Sequence, residues 1–497
     1  MGSLLALDSD DPSAPAAGIR GRETAHARLL ALYIGTGLFF MLLPGTFLGV
    51  WNLIQASDRH SISLVSPAWL QAHGHAQIFG WVATFILGIG LYSIPLVNAG
   101  ARPSLTAARA TWLLWTCGVT MRWAANVYGW HWRFLLPLSA VLEVVAFAIF
   151  FRAVSQHRAA GTPARLDPWI GIVIAGAIGF ALTLGTNLVL SSYVAWQGES
   201  PAFPHALNER FLVLTTWGFL APFVWGFSSK WLPVLLGLRQ TRSKGVLLGL
   251  ALNSAGVILM IAGWRSLTEM LFVAAAVLVA VNLRLFEPSQ HPPKTRGVHP
   301  TFPLFVRSAY AWLIIAAALG LVAEHLDVSG GIWGASRHAF TVGFVSVMVF
   351  SIGQRVLPAF AAMGPLWSPR LMFIGLLMLT TGCLLRVGSE IVAYQHGVAW
   401  AWAVLPVSAF VELTAVTLFA INMAATFIMA PEPIVVPSIA VRSDELNVSR
   451  GGEYEGPRSL VHRTCASVRG HRVVRGGTAT RSEGQASHVP DPECTEG

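Results

Sequence analysis

The feature that most constrains this chain is a succession of long apolar runs between residues 29 and 429. A helix needs roughly 20 apolar residues to cross a bilayer, and inside the hydrocarbon core only helices or closed barrels satisfy their own backbone hydrogen bonds. Charged residues make up 11% of the chain, whereas about 25% is usual in a globular protein. The sequence therefore predicts an all-α integral membrane protein whose main partner is the lipid bilayer. Twelve predicted transmembrane helices, numbered as spans 1 to 12, cover residues 29–54, 68–97, 106–128, 133–152, 168–195, 207–236, 245–263, 267–285, 304–325, 336–361, 370–389 and 398–429.

Lysine and arginine concentrate in every second loop between these spans, which predicts the orientation of the chain. Loops rich in these residues face the cytoplasm. Both termini are then cytoplasmic: a polar segment of residues 1–28, and residues 430–497, whose Gly, Ser, Arg and Glu content without an apolar period predicts a disordered tail. The basic residues lie mainly in loops and tails, so the net charge of +9 does not indicate a nucleic-acid partner.

Two segments of the apolar region read alike. Residues 75–95 are HAQIFGWVATFILGIGLYSIP, and residues 338–358 are HAFTVGFVSVMVFSIGQRVLP. Both begin with His-Ala, carry a glycine five residues later followed by an aromatic residue (Trp81 or Phe344), and end at a proline. The likeness predicts that each histidine begins a span at an equivalent place in a duplicated fold.

The duplication extends into the spans that follow. Residues 136–144 (LPLSAVLEV) match residues 405–413 (LPVSAFVEL), which makes Glu143 and Glu412 equivalent. Arg122 and Arg386 also occupy matching places, each between the His-Ala segment and the glutamate-containing segment of its own copy.

A fainter third copy lies at residues 213–233 (VLTTWGFLAPFVWGFSSKWLP), with Val213 where the other copies have histidine. Internal repeats of this size determine the architecture of a chain. With one leading span added to each copy, the sequence predicts three repeated four-helix units at residues 29–152, 168–285 and 304–429.

The paired histidines have a chemical interpretation. Polar groups inside a bilayer are costly, so an intramembrane histidine usually faces the bundle interior or a functional site. A neutral imidazole offers a lone pair to a metal while its other nitrogen donates a hydrogen bond. His75 and His338 are therefore predicted to bind the iron of one haem from opposite faces, or, alternatively, only to hydrogen-bond across helices. Since no C-x-x-C-H motif is present, the haem is expected to be non-covalent and b-type.

The arrangement resembles the catalytic subunit of the haem–copper oxidases, whose helices form three four-helix arcs. Histidines on helices 2 and 10 hold the low-spin haem of those enzymes, and His75 and His338 stand on spans 2 and 10 here. The amino-acid sequences of the two His-Ala segments are more similar to those of the NnrS family, which comprises bacterial haem- and copper-containing membrane proteins linked to nitric oxide stress. The resemblance implies a haem protein of the bacterial inner membrane that handles or responds to nitric oxide.

One part of the oxidase pattern is missing from the sequence. Spans 6 and 7 contain no histidine, and no second histidine accompanies His338 two residues away, where oxidases hold copper and the high-spin haem. An oxygen-reducing centre of that kind is therefore not expected. The sequence leaves open whether the protein is an enzyme, and its electron donor is unknown.

Further polar residues are candidates for the same region. His73 is two residues before His75, about 200° around a helix, so both cannot bind one iron from a straight helix. His73 is either a ligand of a second site or an interfacial histidine. A copper site formed by His73 and His205 is an open alternative.

Charged and aromatic side chains would complete a haem site. Arg122 and Arg386 either pair with the glutamates of their own repeats or bind haem propionates, as Arg337 also could. Trp81 and Phe344 are candidate walls of the cofactor. Two competing functions remain: a haem-free transporter that uses the Arg–Glu pairs, and a redox enzyme with a divergent second metal site.

Overall fold

The computed structural model of the chain describes residues 14–97, 103–155, 167–360 and 365–429. Within these ranges every regular element is a helix, and eleven helices are long and apolar enough to cross a membrane. The predicted all-α membrane class is thereby confirmed. The C-terminal tail at residues 430–497, and residues 1–13 of the N-terminal segment, lie outside the described residues. The side of the membrane on which each end lies stays a prediction.

The third predicted span, residues 106–128, is the one that the eleven candidates do not include. It forms a helix, Leu105–Tyr128. This helix contains Arg109 and Arg122, and charged residues lower its hydropathy below that of its neighbours. Its helical structure is confirmed, whereas its passage through the membrane stays a prediction.

Sixteen α-helices and four short π-helical segments make up the described residues. The first third comprises α1 (Ala14–Phe40), a π segment (Met41–Phe47), α2 (Leu48–Asp58), α3 (Pro67–His75), a π segment (Ala76–Ala83), α4 (Thr84–Val97), α5 (Leu105–Tyr128) and α6 (Trp132–Ser155). The middle third comprises α7 (Pro168–Gln197), α8 (His205–Val213), a π segment (Leu214–Leu220), α9 (Ala221–Leu236), α10 (Ser243–Ala262) and α11 (Arg265–Asn282). The last third comprises α12 (Phe302–Leu326), α13 (Gly331–His338), a π segment (Ala339–Ser346), α14 (Val347–Phe360), α15 (Pro369–His396) and α16 (Ala399–Ile428).

The three thirds follow the same plan of contacts. In each, the leading helix (α1, α7 or α12) packs against the helix interrupted by a π segment, and the last two helices pack against each other. Helices α6 and α7 join the first two thirds, α11 and α12 join the next two, and α16 returns to α2. The thirds therefore contact one another in a ring.

Three of the four π segments begin at equivalent places, one in each third. They start directly after His75, Val213 and His338, the three residues that the sequence comparison aligns. A π-helical turn bonds each amide to the carbonyl five residues back instead of four, so it changes the direction of the side chains on either side of it. The side chains after each π segment are thus turned relative to those of the α-helix before it, which ends at the aligned residue.

Glycine sets the approach of the last two helices in every third. A Cβ atom added to Gly118, Gly256 or Gly382 would lie 2.9, 3.4 or 3.4 Å from a backbone oxygen of the facing helix. Those oxygens belong to Ser139, Thr268 and Ser408, respectively. Small residues allow such close helix contacts in membranes. The middle third therefore shares this close backbone contact with the first and last thirds.

A first prediction concerns the contact between α7 and the middle π segment. A Cβ on Gly179 would overlap the carbonyl oxygen of Gly218, which cannot move alone, whereas a Cβ on Gly185 of the same helix meets nothing within 4 Å. Gly179→Ala should therefore destabilise the protein by about 1–3 kcal/mol through overpacking. Gly185→Ala should leave it unchanged or more stable, because alanine favours helix by about 1 kcal/mol over glycine. Thermal unfolding in one detergent measures both, and equal Tm values would contradict the packing.

Candidate functional site

His75 ends α3 and is buried against α6. Its Nε2 lies 2.8 Å from Oε1 of Glu143, a residue that is fully buried. The imidazole ring stacks on Phe79, with 4.4 Å between ring centroids. The Nε2 atom of His75 is therefore already engaged by a carboxylate.

Glu143 connects this histidine to a chain of polar groups. Its second oxygen accepts a hydrogen bond from Asn187 Nδ2 (3.0 Å), and Asn187 Oδ1 accepts one from Arg122 Nη1 (3.3 Å). Arg122 also donates to Ser191 (2.8 Å) and lies over the ring of Phe203. The structure thus replaces the predicted direct Arg122–Glu143 contact with one that runs through Asn187. The following residues are called the first-third cluster: His75, Glu143, Asn187, Arg122 and Ser191.

His338 occupies the equivalent place in the last third but makes different contacts. Its Nδ1 is 2.9 Å from the carbonyl oxygen of Gly334 and 3.1 Å from Glu390 Oε2. Because a carbonyl only accepts, Nδ1 carries the proton, and the lone pair of the neutral ring lies on Nε2. Glu390 in turn lies 3.4 Å from Arg386 Nη2.

Several polar atoms around His338 are buried without a partner. Arg386 Nε and Nη1 make no hydrogen bond within the described part of the chain, and neither does Glu412 Oε1. Glu412 lies near enough to Arg386 for their charges to interact. Buried polar groups are normally satisfied, so a concentration of unsatisfied ones presents a site for a polar or charged ligand. The following residues are called the last-third cluster: His338, Glu390, Arg386 and Glu412.

His73 points away from the first-third cluster. Its Nδ1 lies 2.9 Å from the carbonyl oxygen of Gly45 in the first π segment. Its ring packs against Gly49, where an added Cβ would come within 2.6 Å of Cε1. Gly45 and Gly49 belong to the first π segment and α2, and both elements pack against α16. The two histidines of α3 therefore contact different parts of the structure, His73 the first π segment and His75 the side chain of Glu143.

The middle third has apolar residues at all the equivalent places. Val213 replaces the histidine, and the helix-packing glycine Gly256 is followed four residues later by Met260 in place of arginine. Phe272 lies four residues after Thr268, where the outer thirds carry glutamate, and stacks on Trp217 at 4.5 Å between ring centroids. A polar cluster of this type is thus confined to the first and last thirds of the described chain.

Trp81 and Phe344 are packing residues in this structure. Trp81 meets Phe350 edge to face, at 6.0 Å between ring centroids, and so contacts the last third. Phe344 is fully buried and lies edge to face with Tyr310 at 5.2 Å. Their role as walls of a cofactor stays a prediction.

The remaining predicted residues lie near the surface. Arg337 is exposed on α13. The side chain of His205 is 86% exposed and lies 3.6 Å from Glu209, and the described residues show no contact between His205 and His73. Nor do three or more His, Cys, Asp or Glu side chains of the described chain come together as a metal site.

Three members of the clusters were not predicted from the sequence: Asn187, Ser191 and Glu390. Glu390 has a recognisable signal, because it stands four residues after Arg386 and so lies on the same face of α15. Asn187 has no such signal, since α7 is distant in sequence from both of its partners. Only the packing of α6 against α7 reveals its role.

Similarity to known proteins is found with one family model and with solved structures. A family model described as a domain of unknown function (DUF8744) matches residues 232–428, less than half of the chain. None of the curated proteins matches the sequence. Among solved structures, the chain is similar to a haem–copper terminal oxidase dimer determined by cryo-EM, with 12% identity and a TM-score of 0.48 over 83% of this chain and 84% of the other. A TM-score below 0.5 does not by itself establish a shared fold.

The residues of the last-third cluster fit a haem. Among the described residues, the Nε2 of His338 receives no hydrogen bond, and Arg386 has two buried nitrogens without partners, which a propionate would satisfy. His75 fits less well, because Glu143 occupies its Nε2. Of the two histidines, His338 is therefore the better candidate to hold a haem.

A second prediction compares the equivalent glutamates. Glu143→Leu removes the acceptor of both His75 and Asn187 and leaves a buried arginine uncompensated, which should cost about 3–5 kcal/mol. Glu412→Leu should cost far less, because Arg386 keeps Glu390 and one unpartnered oxygen disappears. Unfolding of both variants in the same detergent, followed by tryptophan fluorescence, measures the difference. A larger loss for Glu412→Leu would contradict this account.

Proposed function

We propose that this protein is a haem-binding membrane protein of NnrS type, located in the bacterial inner membrane. The observation that carries the proposal is the state of His338. Its Nδ1 donates to the Gly334 carbonyl and, within the ranges that the structure describes, its Nε2 makes no hydrogen bond and Arg386 of the same cluster has two unsatisfied nitrogens. A neutral imidazole oriented in this way by a backbone carbonyl is the form that binds iron.

The proposal includes the three-unit arrangement of the haem–copper oxidase catalytic subunit. Its support is the recurrence of a π segment after Val213 and the two aligned histidines, together with the glycine contacts of the last two helices in each third. Helix Leu105–Tyr128 is then the twelfth span, and both termini lie in the cytoplasm. The apolar middle third explains why two of the three units, and not all three, contribute a histidine.

Specific residues receive roles in this proposal. His338 and a histidine of α3, where the His-Ala match points to His75, would hold the iron of the haem. Arg386 binds one propionate with its free nitrogens, and the exposed Arg337 is available to the other. Arg122 stays a further candidate for a propionate: Asn187 and Ser191 occupy its Nη1, whereas its buried Nε makes no hydrogen bond within the described residues. A haem held by two histidines supplies one-electron transfer when bound.

Copper is not part of the proposed site. His205 is exposed and pairs with Glu209, and the described residues show no contact through which it would share a metal with His73. The proposed link to nitric oxide is supported by the NnrS resemblance of the two His-Ala segments.

A third prediction tests haem binding. Protein purified in detergent from cells with adequate haem should show a Soret band and a reduced-minus-oxidised spectrum of b-type haem. His338→Ala should abolish or alter that spectrum, because it removes the proposed ligand. His396→Ala, on the exposed end of α15, should leave it unchanged. The absence of any Soret band in the unsubstituted protein would refute the proposal.

A fourth prediction concerns the ligand. Handling of nitric oxide at the haem requires that one histidine yield its place to the gas. Anaerobic addition of nitric oxide to the reduced protein should therefore shift the Soret band. A haem protein whose two histidine ligands do not dissociate serves as the control. An unchanged spectrum at saturating nitric oxide would favour electron transfer alone.

A further inference from the structure

We infer that the haem ligand contributed by α3 is His73, and that His75 belongs to a separate polar cluster. The inference rests on the proposed haem function and changes which side chain of α3 carries it. It reverses the assignment suggested by the alignment of the two His-Ala segments.

The first argument is the match between the hydrogen bonds of His73 and His338. In each, Nδ1 lies 2.9 Å from a backbone carbonyl oxygen, that of Gly45 or of Gly334. Since a carbonyl only accepts, both rings carry their proton on Nδ1 and present the lone pair of Nε2. Neither Nε2 makes a hydrogen bond within the described part of the chain. Two rings prepared in the same tautomer are what two axial ligands of one iron require.

The second argument is direction. His73 faces the first π segment and α2, and both elements pack against α16, the helix that carries Glu412. Residues two apart on a helix differ by about 200°, so His75 faces the other side of α3, towards Glu143 and Asn187. Only one of the two histidines can therefore face the last-third cluster, and it is His73.

The third argument is the local backbone that holds His73. The first π segment contains Pro44, which has no N–H, followed by Gly45. The carbonyls of these two residues accept side-chain hydrogen bonds from Trp123 (3.2 Å) and His73 (2.9 Å), respectively. Gly49 then leaves room for the imidazole, because any Cβ there would overlap the ring. The first span is thus shaped to seat and orient this side chain.

His75 has a different role on this account. Its hydrogen bond to Glu143 closes the buried chain that ends at Arg122. The loss of His75 should therefore affect stability more than the spectrum of the haem.

The test compares His73→Ala with His75→Gln, whose amide can still donate to Glu143. Each variant is purified in detergent, its haem-to-protein ratio is measured by pyridine haemochrome, and the ligation state is read by low-temperature EPR. His73→Ala should lose haem or convert it from low-spin to high-spin, and added imidazole should restore the low-spin signal. His75→Gln should keep the low-spin spectrum of the unsubstituted protein.

A second variant avoids removing any histidine. Gly49→Ala should displace the His73 ring and change the low-spin EPR signal while leaving the Glu143 contact of His75 intact. Loss of the low-spin signal in His75→Gln, with His73→Ala and Gly49→Ala unchanged, would overturn the inference. A failure of the unsubstituted protein to bind haem would instead refute the proposed function, so the two failures are distinguishable.

Discussion

The carboxylate of Glu143 is fully buried, and it receives hydrogen bonds from α3 through His75 and from α7 through Asn187. Inside a membrane bundle the apolar surfaces of helices gain little by leaving lipid, so helix position depends on close packing and on such polar contacts. One buried carboxylate therefore links three helices. The approach of α5 to α6 depends on the same residue, because Gly118 lies against the Glu143 side chain.

The three thirds show how one pattern of helix contacts accommodates different chemistry. Gly256, Thr268 and Phe272 reproduce the packing of Gly118, Ser139 and Glu143, but with an aromatic ring in place of the carboxylate. Backbone packing of this kind needs a small residue on one helix and a close neighbour on the other, and it does not need the polar cluster. The histidines, arginines and glutamates are thus additions to a framework that stands without them in the middle third.

The all-α membrane class could be predicted because a long apolar run that crosses a bilayer must satisfy its own backbone hydrogen bonds, which a helix does. The likeness between residues 75–95 and 338–358 has a counterpart in the structure, because a π segment begins directly after each histidine. Side-chain direction could not be predicted in the same way. A sequence match aligns His75 with His338, but the π segment and the packing of α3 against the first span determine which ring faces which cluster. The role of Asn187 could not be predicted for a related reason: its partners lie on other helices, and only the packing of those helices brings them together.

The placement of two histidines two residues apart gives α3 a particular mechanical property. Its last turn contacts Gly45 on one side, through His73, and Glu143 on the other, through His75. A rotation of α3 that lengthened one of these contacts would necessarily move the other ring as well, because both side chains are fixed to the same short helix. The first-third cluster, with its two hydrogen bonds to Glu143, therefore fixes the rotation at which His73 contacts Gly45. On this argument the buried glutamate that needs compensation in one third also sets the geometry of the candidate site in another.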